Sequence, residues 1–460
     1  MIFFLGQTQT ACAHPLFKSS HMNKSHQKMI LTKILSSSFF YAFIFFLLLV
    51  LLLHMIQSPQ PCHLLDFSCY RPADYLRVSH ANFVEHIEIS GKYSEECVEF
   101  QRKIIEKSGI GEQSCLPLSM HQVPADTSFE SSLKEVEEVM GSTIENLLAK
   151  TNTNPKDIDI VVSNCSMFCP TPSIASMIVH KFGLKTNVRS FNLSGMGCSA
   201  GLLSISLARE LLKVNKDSTA LVFSMEAVTP NGYLGEEKSM LLTNTIFRMG
   251  GAAILLSNKT HEIGRSKYKL KHLVRTHIGW DDEAYRCVYQ MTDQNGFQGV
   301  SLSKSLVKVA SKALRIHLAH LGPLALPFSE QISYLFNVCV RRNRAIAPNF
   351  KKGFDHFCIH AGGRAIIDAL GEQFGLSKED VEPSRMTLHR FGNTSSSSIW
   401  YELMYLESKG RVKKCDKIWQ IAFGSGFKCN SAVWEAVKEV KSGDHNAWSD
   451  TIHSYPVEIP

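Results

Sequence analysis

Short, almost wholly apolar runs spaced along the middle of the chain limit its fold more than any other feature. Ile158 to Val162, Thr219 to Ser224 (TALVFS) and Ala252 to Ser257 (AAILLS) have strand length and lack the polar alternation of a half-exposed strand. A further strand runs to Phe191. Helical patterns lie among these runs at Lys92 to Ser108, Ser128 to Lys150 and Ile174 to Lys181. Strands with no polar face, alternating with helices, imply parallel sheets covered on both sides. The fold class is therefore α/β. A similar order of elements returns later: a helix at Lys304 to Leu321, a strand at His356 to His360, helices at Arg364 to Phe374 and Ser397 to Lys409, and a strand at Trp419 to Phe423. No residue-level repeat accompanies it, so duplication is an expectation from element order alone.

The 460 residues are enough for one large body made of two similar halves. A net charge of +7 is modest at this length, and the densest basic group (Arg341, Arg342, Arg344, Lys351, Lys352) suits a membrane surface or an anionic cofactor as well as a polyanion. Nucleic-acid binding is accordingly not expected. Thirteen cysteines, an odd number without framework spacing, point to free thiols and a reducing compartment. Cys165 and Cys169 are four apart, but no second ligand pair follows, so both read as core or turn residues rather than a metal site.

The chain begins with a polar, weakly basic tail over residues 1–35. Ser36 to Ile56 contains no Asp, Glu, Lys or Arg and is long enough to cross a bilayer as a helix. It starts too late and lacks a small-residue cleavage site, which favours an uncleaved anchor over a signal peptide. Residues 57–77, punctuated by Pro59, Pro61 and Pro72, read as a linker, with the body starting near Val78. The expected halves are 78–265 and 266–446, followed by a tail at 447–460. Four lysines (Lys18, Lys24, Lys28, Lys33) precede the span while Arg71 and Arg77 follow it, so local charge would send the body into the lumen. Cysteine usage argues for the cytosol.

Within NLSGMGCSAG (192–201), Cys198 stands among Gly195, Gly197 and Gly201, with a helical pattern directly behind it. Unpaired N–H groups and the positive end of a helix dipole stabilise a thiolate at such a position. A buried structural cysteine in a tight turn would look the same. Three stretches could complete a site. In FDHFCIHAGGRAIID (354–368), His360 ends a strand beside Gly362 and Gly363, where α/β sheets gather their catalytic groups. In LHRFGNTSSSSIWYEL (388–403), Asn393 precedes a serine run and a helix, as a functional amide or as an N-cap. The turn Gly424–Ser425–Gly426 in AFGSGFKCN could bring a backbone N–H to an oxyanion hole with that of Cys198.

These segments, together with LLDFSCYRP (64–72), FRMGGAAILLSN (247–258), GVSLSKSL (299–306), LPFSEQ (326–331) and WQIAFGSGFKCNSAVW (419–434), closely resemble plant 3-ketoacyl-CoA synthases, the condensing enzymes of very-long-chain fatty acid elongation. The likeness runs from about residue 60 to the C-terminus. It implies a thiolase-like fold, two related α/β halves in five layers, preceded here by a transmembrane helix. It also implies Cys198 as acyl-accepting nucleophile with His360 and Asn393 as partners, and it matches His277, His356 and His389 to further family histidines. Long-chain acyl-CoA and malonyl-CoA would be substrates and no cofactor or metal would be required. A homodimer, the reductase and dehydratase of the elongation cycle, and an endoplasmic reticulum membrane with the catalytic body facing the cytosol are implied in the same way, as is a destination in lipids such as cuticular wax. Ser194 stands where the family has Gly, Cys169 where it has Asn, and one span is found where two are usual. The rival readings are a type III polyketide synthase-like enzyme and a catalytically silent scaffold of the elongase complex.

Overall fold

A computed structural model describes residues 61–339, 348–440 and 446–459, with a few positions between 41 and 49. The chain divides into two compact units, Met1–Pro59 and Gln60–Pro460. The span expected at 36–56 belongs to the first and lies mostly outside the described residues. Among the described residues no helix is long and apolar enough to cross a membrane.

Strands of the second unit are β1 (His63–Cys69), β2 (Ile160–Asn164), β3 (Arg189–Leu193), β4 (Thr219–Glu226), β5 (Gly250–Ser257), β6 (Tyr268–His277), β7 (Val288–Thr292), β8 (Gln298–Leu302), β9 (His356–Ile359), β10 (Lys417–Gly424) and β11 (Lys428–Ala436). Helices in its first part are α1 (His80–Ile89), α2 (Glu95–Lys107), α3 (Phe129–Thr151), α4 (Ile174–Phe182), α5 (Ala200–Val214) and α6 (Lys238–Ile246). Beyond these come α7 (Asp282–Arg286), α8 (Leu306–Ala325), α9 (Phe328–Cys339), α10 (Arg364–Phe374), α11 (Lys378–Phe391) and α12 (Ser398–Ser408).

Nine strands form one sheet in the order β3-β2-β4-β5-β1-β6-β11-β10-β9, and β7–β8 form a separate hairpin. The sheet is mixed, which corrects the expectation of parallel sheets. β2 is parallel to β3 and β4, and β9 to β10, whereas β4–β5, β5–β1, β6–β11 and β10–β11 are antiparallel. Every residue of β4 and β5 is buried, so these antiparallel strands lack the polar alternation that would have given them away. β2–β4–β5–β1 and β9–β10–β11–β6 repeat the same succession of one parallel and two antiparallel pairings, and β1 meets β6 where the two sets join.

The linker expected at 57–77 is corrected by β1, which lies inside the sheet between β5 and β6. Pro61 and Pro72 flank this strand without interrupting it, so its ladder donors are intact. The tail expected at 447–460 is corrected likewise. Trp448 is fully buried, its Nε1–H donates to the Tyr401 carbonyl (2.9 Å), and it packs edge-on against Phe391 and Tyr455.

One core explains how the site is held. Leu202, Ile205 and Leu212 of α5 and Ile399, Trp400 and Leu403 of α12 share a cluster with Val162, Val222 and Ile254 of the sheet. α12 is buried almost throughout, which accounts for the apolar stretch IWYELMYL. α3 and α4 share a different core with other side chains of the same strands, Val161, Leu221 and Leu255.

Candidate active site

α5 and α12 are each entered through a 3₁₀ turn, Gly197–Ser199 and Ser395–Ser397, and these two turns touch. Gly197 adopts φ +66°, and a Cβ there would lie 2.5 Å from the Ser425 nitrogen. At Gly201 a Cβ would run into the Ser396 carbonyl. Glycine at 201 therefore permits the close approach of α5 to the second turn, and glycine at 197 that of the first turn to the Gly424–Ser425 loop.

Cys198 sits on the first turn, partly exposed. Ser395 Oγ lies 3.4 Å from its Sγ and 3.3 Å from Glu226 Oε2, placed to donate to either one. The other carboxylate oxygen of Glu226 accepts from the N–H groups of Ser166 (3.0 Å) and Met167 (2.9 Å) and from Cys165 Sγ. Burial pushes the Cys198 thiol up to about 12; the Ser395 hydroxyl opposes this and the Glu226 charge reinforces it. Desolvation thus opposes the thiolate expected at the helix N-terminus, and outweighs the donors around the sulfur. Burial raises Glu226 as well.

His360 follows β9 directly, its N–H bonded to the Ile421 carbonyl (2.9 Å) and its Nδ1 hydrogen-bonded to Ser398 Oγ (2.6 Å) at the start of α12. Burial lowers this imidazole to about 4, so it is neutral at physiological pH. Asn393 is fixed through its backbone, which bonds to Ile246 and Arg248. Its Oδ1 accepts from the Ser395 N–H (2.8 Å) and its Nδ2 donates to the Gly362 carbonyl (3.2 Å). The capping and functional readings of Asn393 therefore use different atoms of one amide.

Cys198, His360 and Asn393 line one cavity of about 450 Å³, together with Ser395, Glu226 and Gly424–Ser425–Gly426. Its remaining wall is largely apolar, from Phe83 and Ile87 of α1 across to Val288, Val300 and Leu302 of the β7–β8 hairpin. The three side chains predicted as a set are brought together. The other three histidines are not. His356, at the opposite end of β9 from His360, bonds to Asp416 (2.9 Å). His389 bonds to the Tyr455 hydroxyl (3.0 Å). His277 is exposed at the end of β6, paired with Lys428 and near Gly426. Sequence reasoning missed Ser395, Ser398 and Glu226. The one available signal was Glu226 itself, a carboxylate closing a strand that is otherwise free of charge.

Cys165 is buried against Glu226 and Cys169 is exposed beside Asn192, and among the described residues no group of His, Cys, Asp or Glu could hold a metal.

Residues 54–343 match the family described as FAE1/type III polyketide synthase-like protein, and residues 351–436 match the C-terminal region of 3-oxoacyl-acyl-carrier-protein synthase III. Among curated proteins the chain is 55% identical to 3-ketoacyl-CoA synthase 7 of Arabidopsis thaliana over 86% of its own length and 87% of the relative's. It is 51% identical to 3-ketoacyl-CoA synthase 4 of the same plant, over 89% and 80%. The chain belongs to the 3-ketoacyl-CoA synthase family.

Solved structures place this 3-ketoacyl-CoA synthase family member in a wider fold. A mutant of CsyB is similar with a TM-score of 0.63 at 20% identity, over 82% of this chain and all of that one. 1,3,6,8-Tetrahydroxynaphthalene synthase from Streptomyces coelicolor, a bacterial type III polyketide synthase, is similar with a TM-score of 0.64 at 18% identity, over 83% of this chain and all of that one. The fold is thus thiolase-like, of the type III polyketide synthase kind, with a large mixed sheet.

Proposed function

We infer that this chain condenses a long-chain acyl-CoA with malonyl-CoA to a 3-ketoacyl-CoA, the first step of very-long-chain fatty acid elongation. The observation that carries this reading is the convergence of Cys198, His360 and Asn393 on one largely apolar cavity, in a chain of this family. Cys198 Sγ attacks the acyl thioester as its proton passes to neutral His360, which returns the proton to the departing CoA thiol. Burial raises the thiol and lowers the imidazole, so both rest neutral and the proton transfer is coupled to the attack rather than preceding it. Malonyl-CoA then loses CO₂, and the enolate oxygen accepts hydrogen bonds from Asn393 Nδ2 and from His360 in its other tautomer, protonated at Nε2 with Nδ1 accepting from Ser398 Oγ. The enolate carbon attacks the acyl-cysteine, whose sulfur departs as thiolate and takes from solvent the one proton that the overall reaction consumes. Backbone N–H groups of Cys198 and of the 424–426 turn would hold the tetrahedral oxyanion. No step in this scheme calls on a metal or redox cofactor.

We read the body as two related halves in five layers, near 78–265 and 266–446 but extended by β1 and the Trp448 segment. Residues 36–56 anchor it in the endoplasmic reticulum with the body in the cytosol, where both CoA substrates are found. It acts there as a homodimer beside the reductase and dehydratase of the cycle. Microsomes carrying the chain, given labelled malonyl-CoA and acyl-CoAs of increasing length, should form labelled 3-ketoacyl product. Absence of product from wild type, or equal product from Cys198→Ala, overturns the enzymatic reading and leaves the scaffold. Protease protection of the body in sealed microsomes overturns the topology.

A further inference from the structure

The condensation described above consumes one proton per turnover, and that proton must reach Cys198 Sγ in a cavity whose wall is largely apolar. Four consecutive serines, Ser395 to Ser398, lead into α12, and three of their hydroxyls have short bonds elsewhere. Ser396 Oγ donates to Asn164 Oδ1 (2.8 Å), Ser397 Oγ donates to the Thr394 carbonyl (2.8 Å), and Ser398 Oγ bonds to His360 Nδ1 (2.6 Å). Ser395 Oγ alone of the four keeps looser contacts, to Cys198 Sγ at 3.4 Å and to Glu226 Oε2 at 3.3 Å. Its backbone holds φ +53°, a left-handed conformation unfavourable for a residue with a Cβ. Such local strain persists where the surrounding structure enforces it, characteristically at reacting centres.

The two oxygens of Glu226 have different surroundings. Oε1 takes the N–H groups of Ser166 and Met167 and Cys165 Sγ, whereas Oε2 faces Ser395 Oγ. Three donors on Oε1 leave Oε2 as the oxygen that carries the proton of a neutral carboxyl. A hydroxyl both accepts and donates, so Ser395 can take that proton from Oε2 while giving its own to the sulfur. Two anions separated by one hydroxyl in a dry cavity disfavour each other, so charge developing on Sγ draws a proton to the pair. Burial of Glu226 acts in the same direction, as does the charge of Glu135, which is held by the N–H groups of Val228 and Thr229.

We propose that Ser395 and Glu226 form a proton relay to the departing Cys198 sulfur in the condensation half-reaction. As the tetrahedral intermediate collapses, the C–S bond breaks and its electron pair stays on Sγ. Ser395 Oγ gives its proton to that pair and takes the proton of Glu226 Oε2, leaving a carboxylate. Glu226 lines the cavity and recovers a proton from solvent once the product leaves, which accounts for the one proton consumed. Ser395 touches the reacting sulfur, and Glu226 acts through Ser395. Acylation does not use the relay, because there the proton moves from sulfur to His360. The relay deepens the condensing reading and rests on it.

The test uses the full chain in microsomes and separates the two half-reactions in wild type, Glu226→Gln, Ser395→Ala and the double variant. Glutamine keeps an oxygen for the Ser166 and Met167 N–H groups but places no acidic proton opposite Ser395. Acylation is followed as label retained on the protein from acyl-CoA without malonyl-CoA, and condensation as the transfer of that label to 3-ketoacyl product when malonyl-CoA is added. Acylation should stay within a few-fold of wild type in every variant, while condensation slows about 10²-fold in Glu226→Gln and in Ser395→Ala. The double variant should be no slower than the slower single one, since the two residues act as a unit. Equal slowing of both half-reactions, unchanged condensation, or losses that multiply in the double variant overturn the relay alone. A wild type that retains no acyl label, or retains it and forms no product with malonyl-CoA, overturns the condensing reading and the relay with it.

Discussion

The N-termini of α5 and α12 are built alike and do different work. Each helix is packed on the same core, is entered through one 3₁₀ turn, and opens on the same cavity. The first turn carries glycines and one thiol; the second carries an amide and a run of serine hydroxyls. Two helix N-termini facing one point favour negative charge there, which is where charge develops on sulfur and on an enolate. One end thus supplies the atom that becomes charged, the other the donors that receive the charge. Ser395 lies at the boundary, within reach of both Cys198 and Glu226.

The largest break in this comparison is expected from Cys198→Ala, which should reduce labelled product to background because the other nucleophile of the first turn, the Ser199 hydroxyl, is fully buried and bonded to the Met196 carbonyl. His360→Ala should cost about 10²–10⁴ in kcat, the range of a lost general acid–base. Asn393→Ala should cost about 10²–10³, the range of a lost oxyanion donor, with KM for the acyl-CoA little changed. A kcat within a few-fold of wild type for Asn393→Ala would confine that residue to its capping bond with Ser395. Gly201→Ala probes the contact between the turns. The added Cβ meets the Ser396 carbonyl, so Tm should fall by an amount matching about 1–3 kcal/mol of overpacking.

The smallest effects are the sharpest test of the boundary. Alkylation of Cys198 by iodoacetamide should still be accelerating at pH 10, given a thiol raised to about 12. Ser395→Ala removes a donor to the sulfur and should move that profile upward. Glu226→Gln removes a nearby negative charge and should move it downward. Each shift is on the order of one pH unit, and shifts of the same sign in both variants would reduce the pair to packing. Acid stability gives a companion measurement at His360. Its folded value of about 4 lies below the ordinary 6.5, so its contribution is present above pH 6.5 and is lost as pH falls toward 4. Melting curves of His360→Asn should show a shallower loss over that window than wild type.

Much of the site was legible because its signals are local. A thiol between glycines ahead of a helical pattern, a histidine ahead of a glycine pair and an asparagine ahead of serines are each statements about a few consecutive residues. Arg364–Phe374 is found as a helix at the expected bounds for the same reason. Ser395 and Glu226 were not legible, because their contact spans 169 positions and joins a turn to the end of a strand. The three histidines matched by resemblance lie outside the cavity lining, and strand or helix membership alone does not say which end or face meets it.

By itself, the sequence determined that this chain is α/β, that a cysteine, a histidine and an asparagine each stand at the end of an element, and which family it resembles. Local backbone preference and burial patterning carry that information along the chain. Tertiary structure decided that the sheet is mixed, that β1 and Trp448 belong to the body, and that Cys198 is desolvated within reach of Ser395, which also reaches Glu226. Strand direction, desolvation and cross-chain hydrogen bonds depend on what lies opposite a residue in space, and a linear pattern does not carry that.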